Sequence, residues 1–155
     1  MPPDVLLLLD SDELNSPFPW ETEPWAHPER DSEPGSARIL IVDDDPVVRL
    51  LLERLLTNAG YAVTTATHGA EALEAALRAE RPVDLAITDI RMPHMDGWEL
   101  GRRLSHHWPG LPILYLSGFT SELSRFSPAR TPAAGFLPKP FDPDELLRRV
   151  ALLLQ

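Results

Sequence analysis

Short apolar runs alternate with amphipathic stretches along most of this chain, and this alternation limits the possible fold more than any other feature. Strands that read as nearly continuous apolar runs are buried on both faces, which is typical of a parallel sheet covered by helices. The sequence therefore predicts an α/β fold in which strands and helices alternate. The expected strands are Ile39–Val42, Tyr61–Ala66, Val83–Thr88, Leu111–Leu116 and Gly135–Leu137.

Helical spacing of apolar residues separates these runs. We expect a helix that begins at Pro46, helices over Gly69–Arg78 and Trp98–Trp108, a weaker one over Thr120–Arg130, and a last helix in which Asp142 and Glu145 form a capping box. Right-handed crossovers would then give a three-layer αβα sandwich with five strands and five helices. The buried faces of the first two helices are expected at Val47, Val48, Leu51, Leu52, Leu55, Leu56 and at Ala70, Leu73, Ala76, Leu77.

The first 36 residues differ in composition from the rest of the chain. Residues 1–36 hold nine acidic residues, one basic residue and seven of the 17 prolines, whereas the remainder holds 15 acidic and 13 basic residues. We expect residues 1–36 to be a disordered, acidic, proline-rich extension and residues 37–155 to form one domain. The apolar run Val5–Leu9, and Trp20 and Trp25 among acids, leave a docking role for this extension open.

Composition also excludes several classes of protein. The chain has no cysteine, which excludes disulfides and thiolate metal sites. The apolar run Val5–Leu9 is too short to span a bilayer and has no basic flank. A formal charge of −10 argues against a nucleic-acid surface. We expect a soluble, cytoplasmic protein with no membrane or nucleic-acid partner.

Polar residues follow four of the expected strands at the point where each strand ends. Asp43 and Asp44 follow the first strand, Asp89 the third, Ser117 the fourth and Lys139 the fifth. In an open parallel sheet, ligands bind beyond the carboxyl ends of the strands. If the first and third strands are neighbours, three carboxylates converge, and each pair at about 4 Å repels by roughly 4 kcal/mol. Such a cluster needs a cation, and oxygen ligands favour Mg²⁺.

The residue types at this edge indicate phosphoryl chemistry. A bound Mg²⁺, a lysine and a hydroxyl are the parts that position a phosphoryl group and neutralise its charge. An aspartate can itself be the nucleophile and form an aspartyl-phosphate. Lys139 is the only lysine among 14 basic residues, which favours a specific role for its compact ammonium group.

Four motifs together resemble the receiver domain of bacterial two-component response regulators. They are ILIVDDDP, DLAITDIRMPHMDG, LYLSG and GFLPKPF, and they occur in the family's order and spacing from about Arg38 to the C-terminus. The resemblance implies a flavodoxin-like fold with strand order 2-1-3-4-5. It extends both to stand-alone receivers and to the C-terminal receiver of hybrid histidine kinases.

The resemblance also implies roles for the polar residues at these strand ends, which we call the acidic edge: Asp43, Asp44, Asp89, Ser117 and Lys139. Asp89 would be the phosphoacceptor. Asp43 and Asp44 would be the acidic pair that holds Mg²⁺ together with Asp89, and the backbone carbonyl of Arg91 would complete the metal site. A histidine kinase or a histidine phosphotransfer protein would donate the phosphoryl group, and an unidentified protein would receive the signal. Such a protein is not an enzyme, because it catalyses only its own phosphorylation and dephosphorylation.

Three further residues would carry the conformational switch. Ser117 takes the place of the switch hydroxyl, and Lys139 would pair with the phosphoryl group beside a cis bond to Pro140. Phe136 matches the switch aromatic, which would swing inward behind Ser117 after phosphorylation. Similar proteins more often carry tyrosine or histidine at that position.

Alternatives and departures from the family pattern remain. Arg91 and Phe119 are both large, and we expect them to shield an acyl phosphate from water. The chain could instead be a phosphate-independent binding module, or a receiver fragment of a hybrid histidine kinase. A phosphatase of the haloacid dehalogenase type would need a second acid two residues after the nucleophile, where this chain has Arg91.

Overall fold

The computed structural model describes residues 37–118 and 134–155. These residues lie within one compact unit, Glu33–Gln155. The expectations for residues 1–36, for a helix over 120–130 and for Phe119 fall outside the described residues. In the part of the chain that is described, no helix has the length and apolar character needed to cross a bilayer.

Five parallel strands form a single sheet in the order β2-β1-β3-β4-β5. The central strands β1, β3 and β4 are almost entirely buried, whereas the edge strands β2 and β5 are partly exposed. The expected α/β class and strand order are therefore confirmed. The strand bounds are Arg38–Val42 for β1, Ala62–Ala66 for β2, Leu85–Asp89 for β3, Ile113–Ser117 for β4 and Ala134–Pro138 for β5.

Four helices lie within the described residues: α1 (Pro46–Asn58), α2 (Gly69–Arg78), α3 (Gly97–His107) and α4 (Pro143–Leu153). Asp142 is the N-cap of α4, as expected, and its side chain accepts a hydrogen bond from the Asp144 amide. The expected capping box is wrong, because the Glu145 carboxylate instead accepts hydrogen bonds from two arginines one turn further along, Arg148 and Arg149.

Two hydrophobic clusters fill the spaces on the two sides of the sheet. Alternate residues of β1 belong to different clusters, because successive side chains of a strand point to opposite faces. Leu40 packs with Leu100 and Leu104 of α3 in one cluster. Ile39 packs with residues of α1 and α4 in the other, which include Leu52 and Val150. This arrangement confirms the three-layer architecture.

The buried faces of α1 and α2 are narrower than the sequence pattern indicated. Val47 of α1 is 73% exposed and Leu77 of α2 is 69% exposed, although both were expected to face the sheet. Only one stripe of each helix contacts the sheet, and α1 carries more apolar residues than that stripe holds. Its fully buried positions are Leu52 and Leu56.

Candidate functional site

Three carboxylates converge at the carboxyl edge of the sheet. Asp43 directly follows β1, and Asp89 is the last residue of β3. These two strands are neighbours, since Val42 pairs with Thr88. One carboxylate oxygen from each of Asp43, Asp44 and Asp89 lies within 4.8 Å of the other two. The structure thus brings together the three acids that the sequence placed at strand ends.

The carboxylate of Asp43 is buried, and the groups around it hold both of its oxygens. Oδ1 accepts a hydrogen bond from the backbone amide of Asp45 at 2.9 Å. Oδ2 accepts one from Lys139 Nζ at 3.0 Å. The Asp43 amide donates to the carbonyl of Ala66 in β2 at 3.3 Å. Hydrogen bonds therefore hold both the backbone and the side chain of Asp43 in place.

Asp89 lies beside the same lysine, but the cost of burying its charge is offset only in part. Its Oδ2 is 3.4 Å from Lys139 Nζ, and the residue is 8% exposed. Burial raises the pKa of the Asp89 carboxyl from 3.8 to about 6, against the attraction of Lys139 and with a further contribution from Asp43 and Asp44. The lysine thus offsets only part of the cost of holding this carboxylate at the edge of the core.

Asp44 differs from the other two acids because it is exposed to solvent. It forms the outer side of the cluster, whereas Asp43 and Asp89 form the buried side. The site is consequently open toward water on the side of Asp44.

Ser117 and Lys139 are held together by their backbones. Ser117 is the last residue of β4 and is buried, and its carbonyl accepts a hydrogen bond from the Lys139 amide at 2.7 Å. The Lys139–Pro140 peptide bond is cis, as expected. The end of β5 therefore delivers the lysine to the same edge as the serine and the three acids.

The loop after β3 is closed against the strand by a glycine. The Gly97 amide donates to the Ile90 carbonyl at 2.7 Å, and a Cβ atom at Gly97 would lie 2.2 Å from the Asp89 carbonyl oxygen. Because that oxygen belongs to the backbone, a larger residue would displace the strand end that carries Asp89. The sequence pattern gave no separate role to Gly97, so this contact was not predicted. The signal was its position one residue after Asp96, which caps α3.

Two expected site residues lie at different depths. Phe136 of β5 is buried in the hydrophobic cluster that also contains Tyr115. Its carbonyl accepts a hydrogen bond from Arg149 Nη1 at 2.9 Å. Arg91, two residues after Asp89, is exposed.

Sequence reasoning gave no role to Arg49, although this residue also reaches the acidic edge. It lies near the start of α1, and its Nη1 donates to the backbone carbonyl of Asp43 at 2.7 Å. Its spacing from Asp43, six positions along the chain, was the available signal. A pattern of apolar positions does not register such a contact, because arginine on a helix surface is usually solvated.

The ligand atoms of the acidic edge fit a hard divalent cation. All three acids contribute carboxylate oxygens, and such oxygens are the ligands that Mg²⁺ prefers in proteins. One exposed acid and two buried ones leave the outer side accessible to water molecules, which Mg²⁺ usually retains. The donor set of this edge is therefore compatible with magnesium.

Comparison with known proteins agrees with this geometry. Residues 39–151 match the family model described as "Response regulator receiver domain". The chain belongs to this family. The resemblance inferred from the four sequence motifs is therefore confirmed.

The similar proteins include response regulators and receiver domains. Response regulator MprA of Mycobacterium leprae is 44% identical over 118 residues, which cover 76% of this chain and 51% of MprA. The chain thus spans about half the length of the curated relatives it matches. Response regulator protein TrrA from Thermotoga maritima, solved in complex with Mg(2+)-BeF, is 35% identical with a TM-score of 0.67, over 76% of this chain and 99% of that one. The receiver domain of the hybrid histidine kinase CckA is 35% identical with a TM-score of 0.64, over 77% and 100%.

Proposed function

We propose that this chain accepts a phosphoryl group on Asp89 from a phosphohistidine donor and signals through protein contacts. The observation that carries the proposal is the convergence of three carboxylates with the chain's only lysine at the carboxyl edge of the sheet. Membership of the receiver family and the similarity to MprA support it. The proposed donor is a histidine kinase or a histidine phosphotransfer protein.

Each residue of the edge has a proposed part in the transfer. An ionised oxygen of Asp89 attacks the phosphorus atom, a P–O bond forms, and the P–N bond to the donor imidazole breaks. The imidazole nitrogen keeps the electron pair and takes up a proton. Lys139 neutralises charge on the transferred group, and the Ser117 hydroxyl donates a hydrogen bond to one of its oxygens.

We propose that Asp43, Asp44 and Asp89, with the backbone carbonyl of Arg91, hold Mg²⁺ during this reaction. When bound, the ion neutralises negative charge that develops on the phosphoryl oxygens. The carboxylate donor set supports this assignment, as does the Mg(2+)-BeF complex of the similar protein TrrA.

Phosphorylation would act as an electrostatic switch. The new group carries a charge of about −1.5 to −2 and three strong acceptor oxygens, which attract Ser117 and Lys139. Lys139 now binds Asp43 and Asp89, so its ammonium group would have to redistribute its contacts. The Lys139 amide donates a hydrogen bond to the Ser117 carbonyl. Movement of Lys139 would therefore displace the ends of both β4 and β5.

The proposal extends to the organisation of the whole chain. Residues 37–155 would form the receiver domain, and residues 1–36 an acidic extension outside it. The chain would act in the cytoplasm, would have no enzymatic role beyond its own phosphorylation and dephosphorylation, and would bind neither nucleic acid nor membrane. The similar proteins include response regulators and the receiver domain of a hybrid histidine kinase, and the proposed chemistry would be the same in both settings.

The test is the mass of the intact protein after incubation with Mg²⁺ and a small phosphoryl donor. Acetyl phosphate and phosphoramidate should each add one phosphoryl group to the wild type and none to Asp89→Asn, which lacks the nucleophilic oxygen. Asp84→Asn is the matched control, because Asp84 lies just before β3 at the opposite end, where its carboxylate accepts from the Arg38 amide. This variant should be phosphorylated like the wild type.

Other outcomes would change the proposal. Phosphorylation of Asp89→Asn would place the acceptor on another residue. An unmodified wild type that nevertheless binds Mg²⁺ would argue for a phosphate-independent binding module.

A further inference from the structure

We infer that Arg49 is a positioning residue that orients Asp44 toward the metal site. The inference rests on the proposed function, in which Asp44 is a ligand of Mg²⁺. It assigns the orientation of this ligand to a side chain of α1 that does not itself belong to the acidic cluster. Arg49 acts through the backbone that carries Asp44.

The backbone on both sides of Asp44 is held by hydrogen bonds. The peptide plane before Asp44 contains the Asp43 carbonyl, which accepts from Arg49 Nη1 at 2.7 Å. The plane after it contains the Asp45 amide, which donates to Asp43 Oδ1 at 2.9 Å. The orientations of these two planes determine φ and ψ of Asp44. Arg49 therefore fixes one of the two dihedral angles that direct the Asp44 side chain.

Asp44 depends on its backbone more than the other two acids do. Asp43 is buried and bonded to Lys139, and Asp89 is the last residue of a buried strand. Asp44 is exposed, so packing does not restrict its side chain in the same way. Its carboxylate nevertheless has an oxygen within 4.8 Å of the other two acids. The hydrogen-bonded backbone on both sides of Asp44 directs this carboxylate toward the other two acids.

The position of Arg49 on α1 agrees with a local role. The arginine lies near the N-terminus of the helix, where the helix dipole disfavours a positive charge. Its own amide donates to the Asp45 carbonyl as part of the first helical turn. Helix stability alone gives no reason for a cation there, whereas the contact with the Asp43 carbonyl does.

Positioning and simple charge predict opposite effects on Mg²⁺ binding. Arg49 is a cation near a site for another cation, so removal of its charge would by itself strengthen Mg²⁺ binding. Loss of its hydrogen bond would free the Asp43–Asp44 peptide and weaken binding. Residues that orient metal ligands typically change affinity by about 10- to 100-fold when they are replaced. The sign of the change therefore separates the two explanations.

The experiment measures the Mg²⁺ dissociation constant of the full chain by isothermal titration calorimetry. Arg49→Met should weaken binding by about tenfold. Arg54→Met is the control for charge, because Arg54 is an exposed arginine on the same helix, and this variant should bind Mg²⁺ at least as tightly as the wild type. Arg49→Lys retains the charge but not the planar guanidinium, and its affinity should also fall severalfold.

A second readout is independent of the metal. In magnesium-free protein, the backbone amide resonances of Asp44 and Asp45 should shift in both Arg49 variants and remain unchanged in Arg54→Met. Unchanged resonances, or Mg²⁺ binding in Arg49→Met as tight as in the wild type, would overturn the inference but leave the proposed function intact. A wild type that binds no Mg²⁺ would overturn the proposed metal site and this inference together.

Discussion

The acidic edge of the sheet and the outer surface of α3 both combine carboxylates with basic side chains, but their carboxyl groups respond in opposite directions. At the edge, the pKa of Asp89 is raised to about 6 although Lys139 is close. On α3, hydrogen bonds from Arg102, and secondly from Arg103, lower the pKa of Glu99 to about 2. Both acids have cationic neighbours, so the presence of a cation does not explain the difference.

The difference lies in burial and in the balance of charge. At the edge, one lysine lies beside two buried acids, with Asp44 nearby, whereas on α3 two arginines bind the partly exposed Glu99. Desolvation at the edge is therefore compensated only in part. The exposed pairs on α3 cost little to form and contribute little to stability. If the edge receives a cation and a phosphoryl group as proposed, its charge stays incompletely neutralised until they bind.

The largest expected effect that tests this comparison is a gain in stability for Asp89→Asn. Without metal, ionised Asp89 costs stability, because its pKa is higher in the folded than in the unfolded chain. We expect this variant to raise the free energy of unfolding at pH 7 in EDTA by about 1–3 kcal/mol. Urea unfolding of both proteins would measure the difference.

The pH dependence of that difference identifies its cause. A raised folded pKa contributes stability that is fully present below the unfolded value of 3.8 and is lost as pH rises through about 6. The two proteins should therefore be almost equally stable at pH 4 and diverge between pH 4 and 7. A gap that is constant over this range would mean that ionisation of Asp89 is not responsible.

A smaller effect is expected when the lysine is removed from the edge. Lys139 Nζ lies 3.0 Å from Asp43 Oδ2 and 3.4 Å from Asp89 Oδ2, so it occupies oxygens that Mg²⁺ would use. Lys139→Met should bind Mg²⁺ about tenfold more tightly, which corresponds to about 1.4 kcal/mol. Calorimetric titration would test this, with Lys139→Arg as the control that keeps the charge. Equal affinities for Lys139→Met and the wild type would show that the ammonium does not compete.

The sequence was sufficient to predict the strands of the sheet and the charged residues that gather at their carboxyl ends. Continuous apolar runs identified the buried strands, and the residues at their ends identified the acids and Lys139. Convergence at one edge then followed from parallel strands, and the resemblance to receivers supplied the neighbouring positions of β1 and β3. These features are specified by residue type and spacing along the chain.

Other features depend on three-dimensional contacts that spacing does not encode. The pattern of α1 indicated Val47 as a buried residue, but the position of the helix on the sheet leaves it exposed. The spacing of residues along the chain also gave no reason to connect Arg49 with the Asp43 carbonyl or Gly97 with the Asp89 carbonyl. The Asp142–Glu145 spacing matched a capping box, yet two arginines on the same helix compete for Glu145.

The smallest expected effect concerns Glu99 and completes the contrast with Asp89. A lowered folded pKa contributes stability that is present above the unfolded value of 4.5 and is lost as pH falls through about 2. This contribution is small, because solvent screens these ion pairs, so Glu99→Gln should leave Tm at pH 7 almost unchanged. Any difference from the wild type should shrink below pH 4 and should have the opposite sign to that of Asp89→Asn, because Glu99→Gln removes a stabilising charge and Asp89→Asn removes a destabilising one.

The most direct test of this contrast is the salt dependence of the pKa values of Glu99 and Asp89. In 1 M NaCl the Debye length falls to about 3 Å, so the attraction of the arginines should weaken and the pKa of Glu99 should rise toward its usual range. The pKa of Asp89 should move much less, because its main cause is burial rather than a screened charge. Carboxyl carbon resonances followed by NMR during a pH titration report both groups in one sample without metal. Equal salt shifts for the two carboxyls would mean that desolvation is not what distinguishes the edge of the sheet from the helix surface.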